Sequence, residues 1–307
     1  SVAGRDFRRA TTFDLGFALG PRINAAGRLA DMSVGIACLL ANDADTAATL
    51  AQQLDAINHQ RREIESDMQI DALASLTELS AEAALQKSTL VLHNPNWHQG
   101  VVGIVAGRIK EKFWLPTIVF APASDTSKAE LRGSGRSIPG LHLRDALDLV
   151  TKRSPALIKK FGGHAMAAGL TIDATNLEIF RQVFEEVCEL LLDPSVKLRA
   201  VMTDGALQLN EVSIEQVLSI EEAIWGQGFN APLFCNTFTV VTQRIVKDKH
   251  LKLSLRPSGN TSSNRAFDGI WFGHTQTLPE QVNLAYRLAI NQYQGIESLQ
   301  LVIEHAQ

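Results

Sequence analysis

The 307-residue sequence holds only three cysteines, Cys38, Cys188 and Cys235. They form no CxxC pair, and so odd and scattered a set argues against a disulfide framework and for a reducing compartment, with all three as packing residues. No apolar run approaches the ~20 residues needed to cross a bilayer, and no basic segment followed by an apolar stretch opens the chain. Both absences argue against membrane insertion and export and for a cytoplasmic protein. The eight histidines form no HExxH, no HxxxH and no Asp-His-His run, so no self-contained metal site is evident. A GxSxG elbow is missing as well, because GSGRS lacks the residue between Ser134 and the second glycine. An excess of positive charge is also absent. The formal net charge of −4 gives no global attraction to a polyanion, so any nucleic-acid contact must come from local clusters of Arg and Lys.

What is present is the composition of a globular protein, with 45% hydrophobic and 20% charged residues in a length suited to about two domains. The chain opens on Ser1 rather than Met, and TTFDLGFALGPRINAAGR follows as if from the middle of a structure, which suggests a fragment of a longer protein. From Asp43 the residues Leu50, Leu54, Ile57, Ile64 and Met68 recur at helical spacing, with no Pro or Gly before Ser80. The spacing predicts one long helix, about 50 Å over 35 residues, of the kind that joins two bodies. After Gln86 the period changes. STLVLH reads as a buried strand, VVGIVAGRIKEKF as a helix and PTIVFAP as a second strand, a βαβ-like alternation. This α/β region closes with a helix over Asn176–Leu192, whose apolar face is Leu177, Phe180, Phe184, Val187 and Leu191, before Asp193-Pro194. Five strand-like runs follow, FTVVTQRIV, HLKLSLRP, FDGIWF, VNLAYRLAI and SLQLVIEHA, separated by turn formers. Five short strands in this length suit a small barrel, of which the OB-fold is the commonest.

Four segments carry more chemistry than packing requires. In GPRINAAGR, Arg22 and Arg28 sit among Gly and Ala, where guanidinium and backbone can come close to a ligand; the alternative is a glycine-rich turn with solvated arginines. In NPNWHQGVVGIVAGRIKEKF, Trp97 and His98 precede Gly100 at a helix start that could meet an anion, against a loop histidine beside a core tryptophan. GSGRSIPG displays Ser134, Arg136 and Ser137 among glycines after a strand-like run, a compact phosphate cradle or else a plain turn. FGGHAMAAGL places His164 after two glycines at the head of a small-residue helix, suited to a phosphate or a nearby metal site, or simply a surface histidine on a tightly packed helix. Farther on, Lys247, Lys249, His250, Lys252 and Arg256 crowd one hairpin, as a strand-binding patch or as solvated lysines on a protected edge.

In this order, and with the long helix, the four segments together with LHLRDAL resemble the C-terminal two thirds of the RecJ family, within the DHH phosphoesterase superfamily. The resemblance spans nearly the whole chain and is specific, although a Gly-Gly-His alone is shared with other DHH phosphodiesterases. It implies an α/β plus all-β architecture: a tail of the DHH catalytic domain over residues 1–42, a connecting helix over 43–86, a DHH-associated α/β domain over 87–193, and an OB-fold over 194–307. It further implies a 5′-to-3′ single-stranded-DNA exonuclease of recombination and repair using Mn²⁺ or Mg²⁺, whose Asp-His-His ligands this sequence lacks. The chain alone is therefore expected to be inactive and to bind no metal. Ser134, Arg136 and Ser137 match the 5′-phosphate pocket, Arg22 and Arg28 face it, and His164 matches the Gly-Gly-His residue at the phosphate. Trp97 and His98 are assigned to the same cleft, and Lys247, Lys249 and Lys252 to the strand. The partners implied are single-stranded DNA, single-strand-binding protein and a recombination helicase. Two other readings stay open: a non-catalytic strand- or protein-binding module, and a DHH-family phosphodiesterase for short oligonucleotides.

Overall fold

A run of β-branched and aromatic residues at 117–120, Thr-Ile-Val-Phe, favours an extended backbone whose side chains alternate between two faces. In the computed structural model this is the second strand of a five-stranded sheet. The structure describes residues 2–5, 8, 10–77, 87–124, 127–197, 200–208, 210–226, 228–258, 265–293 and 295–307. Two compact units are present, Ser1–Arg199 and Ala200–Gln307.

The first unit begins with α1 (Thr12–Asp14), a π-helical stretch (Leu15–Leu19), α2 (Gly20–Leu29) and α3 (Ser33–Leu40). GPRINAAGR is thus helical rather than a turn, and Pro21, which has no N–H to give, follows directly on the π-helical stretch. The long helix α4 (Ala44–Thr77) runs 34 residues, about 50 Å, and packs on α2, α3 and α5 (Val102–Phe113). The expected continuation to Gln86 falls at 78–86, outside the described residues.

The sheet comprises β1 (Leu90–His93), β2 (Thr117–Ser124), β3 (Ser127–Arg136), β4 (Lys160–Gly163) and β5 (Ala167–Asp173), in the order β1-β2-β3-β5-β4. Strands β1 and β2 are parallel and joined by α5, as the βαβ reading expects, and the other pairings are antiparallel. Alternation in β2 divides the core. Ile118 and Phe120 pack with α6 (Leu143–Arg153) and α7 (Leu177–Leu191), whereas Val119 and Ala121 pack with α5 and with Met68, Ala72 and Leu76 of α4. Both faces are covered, which explains the near-continuous apolar character of β2.

The second unit holds α8 (Ile214–Glu222) and a closed barrel of β6 (Phe234–Val246), β7 (His250–Pro257), β8 (Phe267–Phe272), β9 (Gln281–Tyr293) and β10 (Ile296–Ala306), ordered β10-β8-β7-β6-β9. All five strand-like runs of the sequence are strands here. Leu251, Leu253 and Leu255 alternate inward against Phe238, Tyr286 and Leu301, and closure leaves no open sheet edge.

One local expectation is overturned. FGGHAMAAGL is not a helix but the hairpin β4–β5, with its turn at residues 164–166. Gly163 has φ 146°, and a Cβ there would lie 2.4 Å from the Ala167 carbonyl oxygen, so the chain can reverse at this point only with glycine.

Candidate nucleic-acid interface

Alternation in β3 sets the geometry of the site. The Gly133 and Gly135 positions face the α6/α7 core, where added Cβ atoms would meet Phe120 Cε1 at 2.5 Å and Leu143 Cδ2 at 2.8 Å. Glycine there lets Leu143 and Phe120 close over the strand. The intervening residues Arg132, Ser134 and Arg136 therefore project together to the α5 face. They are members of the strand, not of a loop after it.

Arg136 is half-buried. Its Nη1 donates to Ser134 Oγ (3.1 Å) and to the Gly135 carbonyl (2.9 Å). Gly103 of α5 lies against the pair, close enough that a Cβ there would come within 2.9 Å of Ser134 Oγ. Burial lowers the Arg136 pKa from the ordinary arginine value, and the charge of Arg28 lowers it further. Among the described residues no carboxylate forms an ion pair with Arg136. Beside it Ser134 pairs with Gly169, which pairs in turn with Gly162, and side chains added at either glycine would meet open space or only distant atoms. The result is a bare floor next to an uncompensated cation.

The turn at 98–101 closes one side. A Cβ on Gly100 would fall 2.1 Å from the Arg28 carbonyl oxygen, so α2 and this turn meet backbone to backbone. Arg28 Nη1 donates to the Gly100 carbonyl (3.3 Å), and His98 Nδ1 accepts from the Gly100 N–H (3.0 Å), which leaves its Nε2–H directed elsewhere. Arg132 donates to Gln99 Oε1 (3.0 Å). His164 is exposed in the β4–β5 turn, which is held by N–H groups of Ser137 and Leu143 donating to the Met166 and Ala165 carbonyls. Because Arg136 pairs with Ala167, His164 sits at the same end of the sheet as Arg136.

Other sequence-singled residues stand apart from this group. Trp97 is 6% exposed, packs in the α4/α5 core and points Nε1 at Asp71 Oδ2 (3.4 Å). It anchors the His98 turn and is not open to a ligand. Ser137 is 1% exposed, with its hydroxyl given to the Leu141 carbonyl (2.8 Å), so it closes the loop before α6 instead of joining the cradle. Arg22 is turned toward α4, where its Nε donates to Asp55 Oδ1 (2.8 Å), and its charge is neutralised there. In the second unit Lys247 and Lys249 are exposed at the β6–β7 turn, while Lys252 pairs with Asp268 (3.4 Å).

Residues 86–190 match the DHHA1 domain family and residues 203–305 match the RecJ OB domain. Single-stranded-DNA-specific exonuclease RecJ of Escherichia coli (strain K12) is 46% identical over 99% of this chain and 53% of that protein. The chain thus carries a DHHA1 domain and a RecJ OB domain, and it matches RecJ proteins over nearly all of its own length. RecJ of Haemophilus influenzae is 40% identical over 99% of the chain and 53% of its own length. A crystal structure of RecJ in complex with Mn²⁺ from Thermus thermophilus superposes with a TM-score of 0.78 at 25% identity, covering 97% of this chain and 42% of that one. A second, in complex with Mg²⁺, gives 0.77. This chain thus spans about half the length of the curated RecJ relatives it matches. Among its described residues no three His, Cys, Asp or Glu side chains converge as a metal-holding group. Among the described residues no helix is long and apolar enough to cross a membrane.

Proposed function

We propose that this chain is the end-binding and strand-binding part of a 5′-to-3′ single-stranded-DNA exonuclease. Hydrolysis of the phosphodiester is assigned to the portion of the RecJ length that this chain does not span. The half-buried Arg136, hydrogen-bonded to Ser134 and without a carboxylate, carries the reading. A cation desolvated without compensation costs free energy that a bound anion returns, and a guanidinium matches the oxygens of a phosphate. Ser134 Oγ accepts from Arg136, so its own O–H is left to donate to a phosphate oxygen. The glycine floor gives the terminal nucleotide room, and His164 at the same sheet end is placed to meet its phosphate. Fixing the end in this way supplies positioning to the reaction. Residues 1–42 are assigned as the tail of the catalytic domain, 43–86 as the connecting helix, 87–193 as the DHH-associated domain and 194–307 as the OB-fold that follows the downstream nucleotides. The RecJ OB domain over 203–305 weighs against a phosphodiesterase for short oligonucleotides. Cytoplasmic residence and association with single-strand-binding protein and a recombination helicase belong to the same proposal and rest on the family resemblance alone.

The test compares 5′-phosphorylated and 5′-hydroxyl single strands by fluorescence anisotropy. A hydrogen bond to a charged group is worth about 1.5–3 kcal/mol, so Arg136→Ala should erase roughly ten-fold or more of any preference for the phosphorylated end. Equal weakening on both strands would assign Arg136 to the fold or to the general backbone and sink the end-binding role.

A further inference from the structure

A second cationic cavity lies next to the Ser134–Arg136 pair, built by three helices of the first unit. Its volume is about 740 Å³, within the range of ligand pockets, and its lining includes Arg28, Arg61, Arg62, Glu65 and Arg108. Helical spacing puts them there. Arg61, Arg62 and Glu65 share one stripe of α4, Arg108 lies one turn beyond Ile104 on α5, and Arg28 lies in the last turn of α2. Glu65, the only carboxylate of this lining, is divided between Arg61, buried beside it, and Arg108 Nε at 3.3 Å. Arg62 is exposed and has no ion-pair or hydrogen-bond partner among the described residues, and Arg28 has only the Gly100 carbonyl. Crowding is felt electrostatically. Burial lowers the Arg61 pKa, Glu65 opposes this, and the charges of Arg62, Arg28 and Arg108 each lower it further.

A purely structural cluster needs only Arg61 and Glu65, yet the charges of Arg62, Arg28 and Arg108 also bear on Arg61, and Glu65 alone answers them in this lining. Planar guanidinium forks converging from different helices suit the oxygens of a tetrahedral anion. We propose that this cavity is a second phosphate-binding station, adjoining the Ser134–Arg136 pocket through Arg28, that takes the phosphate of a nucleotide either within a strand or released from one. The inference rests on the end-binding reading but makes a separate demand on α4 and α5.

Binding to the full chain is measured for a 5′-phosphorylated oligothymidylate by anisotropy over a salt series, and for thymidine 5′-monophosphate and orthophosphate by calorimetry. Arg62→Ala/Arg108→Ala should weaken strand binding about ten-fold at low salt and reduce the salt slope by about 0.7 per charge removed. Arg62→Lys/Arg108→Lys should keep most of the slope. Both side chains are exposed and Arg61 keeps Glu65, so Tm should stay at the parent value. Loss for the strand alone assigns the station to a strand phosphate, and loss for the mononucleotide and orthophosphate as well assigns it to free phosphate groups. Arg144→Ala/Arg153→Ala, on the exposed side of α6, should bind as the parent does. The station is overturned if the parent binds none of the three ligands, if the alanine pair binds all of them unchanged, or if the α6 pair loses as much. Arg136→Ala separates the two claims. Lost end preference there with an unaffected Arg62/Arg108 pair removes the second station alone, and the converse result removes the end-binding role while the station stands.

Discussion

Gly103 on α5 rests against Arg136 on β3, such that a Cβ on the glycine would lie 3.0 Å from Arg136 Nη2. The atoms in the way are the ends of Ser134 and Arg136, which can swing aside, so the backbone need not move. Alanine near a helix start also gains up to about 1 kcal/mol over glycine. Gly103→Ala should therefore leave Tm unchanged or raise it while the preference for a 5′-phosphate drops several-fold. Thermal melts and strand binding on the same preparation check this, and a lowered Tm with intact preference would contradict it.

Gly133→Ala should do the reverse. Its Cβ would meet Phe120 Cε1 at 2.5 Å and Leu170 Cδ2 at 2.8 Å inside the closed core, where neither side chain has anywhere to go. Overpacking of this kind costs about 1–3 kcal/mol. Urea unfolding should show that loss in the midpoint.

The contrast between these glycines indicates how much was legible beforehand. The barrel strands and the β1-α5-β2 unit stand out in sequence because period-two alternation and an apolar helical stripe are local signals. The residue types of GSGRS likewise draw attention to the segment proposed as a phosphate cradle. Arg132 belongs to the same alternation as Ser134 and Arg136, and counting two residues back from Ser134 would have found it. Arg61, Arg62 and Arg108 read as ordinary charges on helix surfaces, because nothing local reveals that α2, α4 and α5 bring them to one cavity. FGGHAMAAGL misleads for a different reason. Its Ala and Met favour helix, but pairing of β5 with both β3 and β4 outweighs that weak preference. The burial of Trp97 and Ser137 and the Arg22–Asp55 pair depend on residues far away in sequence, so their roles emerge only on folding.

Stability should depend on His93. Its Nε2 is buried with no hydrogen-bond partner among the described residues, and burial, then the Arg181 charge, lowers its pKa below the ordinary 6.5. The unfolded chain therefore takes up the proton first. The contribution is fully present above pH 6.5 and is lost as pH falls from there toward the lower folded value. Urea midpoints should decline between pH 7 and pH 5, and His93→Gln, neutral throughout, should flatten part of that decline. An unchanged pH profile in the variant would show that other groups cause it.

In the barrel, adjacent strands place His250 opposite Phe272, Lys252 opposite Ile270 and Arg244 opposite Lys252, so these side chains share the outer face of β6, β7 and β8. Phe272 is 57% exposed there and meets the His250 ring edge-on at 5.2 Å. Lys247 and Lys249 are exposed in the turn, whereas Lys252 is partly neutralised by Asp268. If this face carries the downstream strand, the two kinds of residue should leave different signatures. Phe272→Ala removes a stacking surface worth about 1–3 kcal/mol per base and should weaken single-strand binding with little change in salt slope. Lys247→Ala/Lys249→Ala should reduce the slope by about 0.7 for each phosphate no longer neutralised, equally for all base sequences. Adding Lys252→Ala should contribute less than either of the other lysines, because its charge is already shared. A titration series in 50–300 mM salt reads both effects, and an unchanged affinity and salt slope in Lys247→Ala/Lys249→Ala would leave the hairpin lysines as solvated charges of an exposed turn rather than part of a binding face.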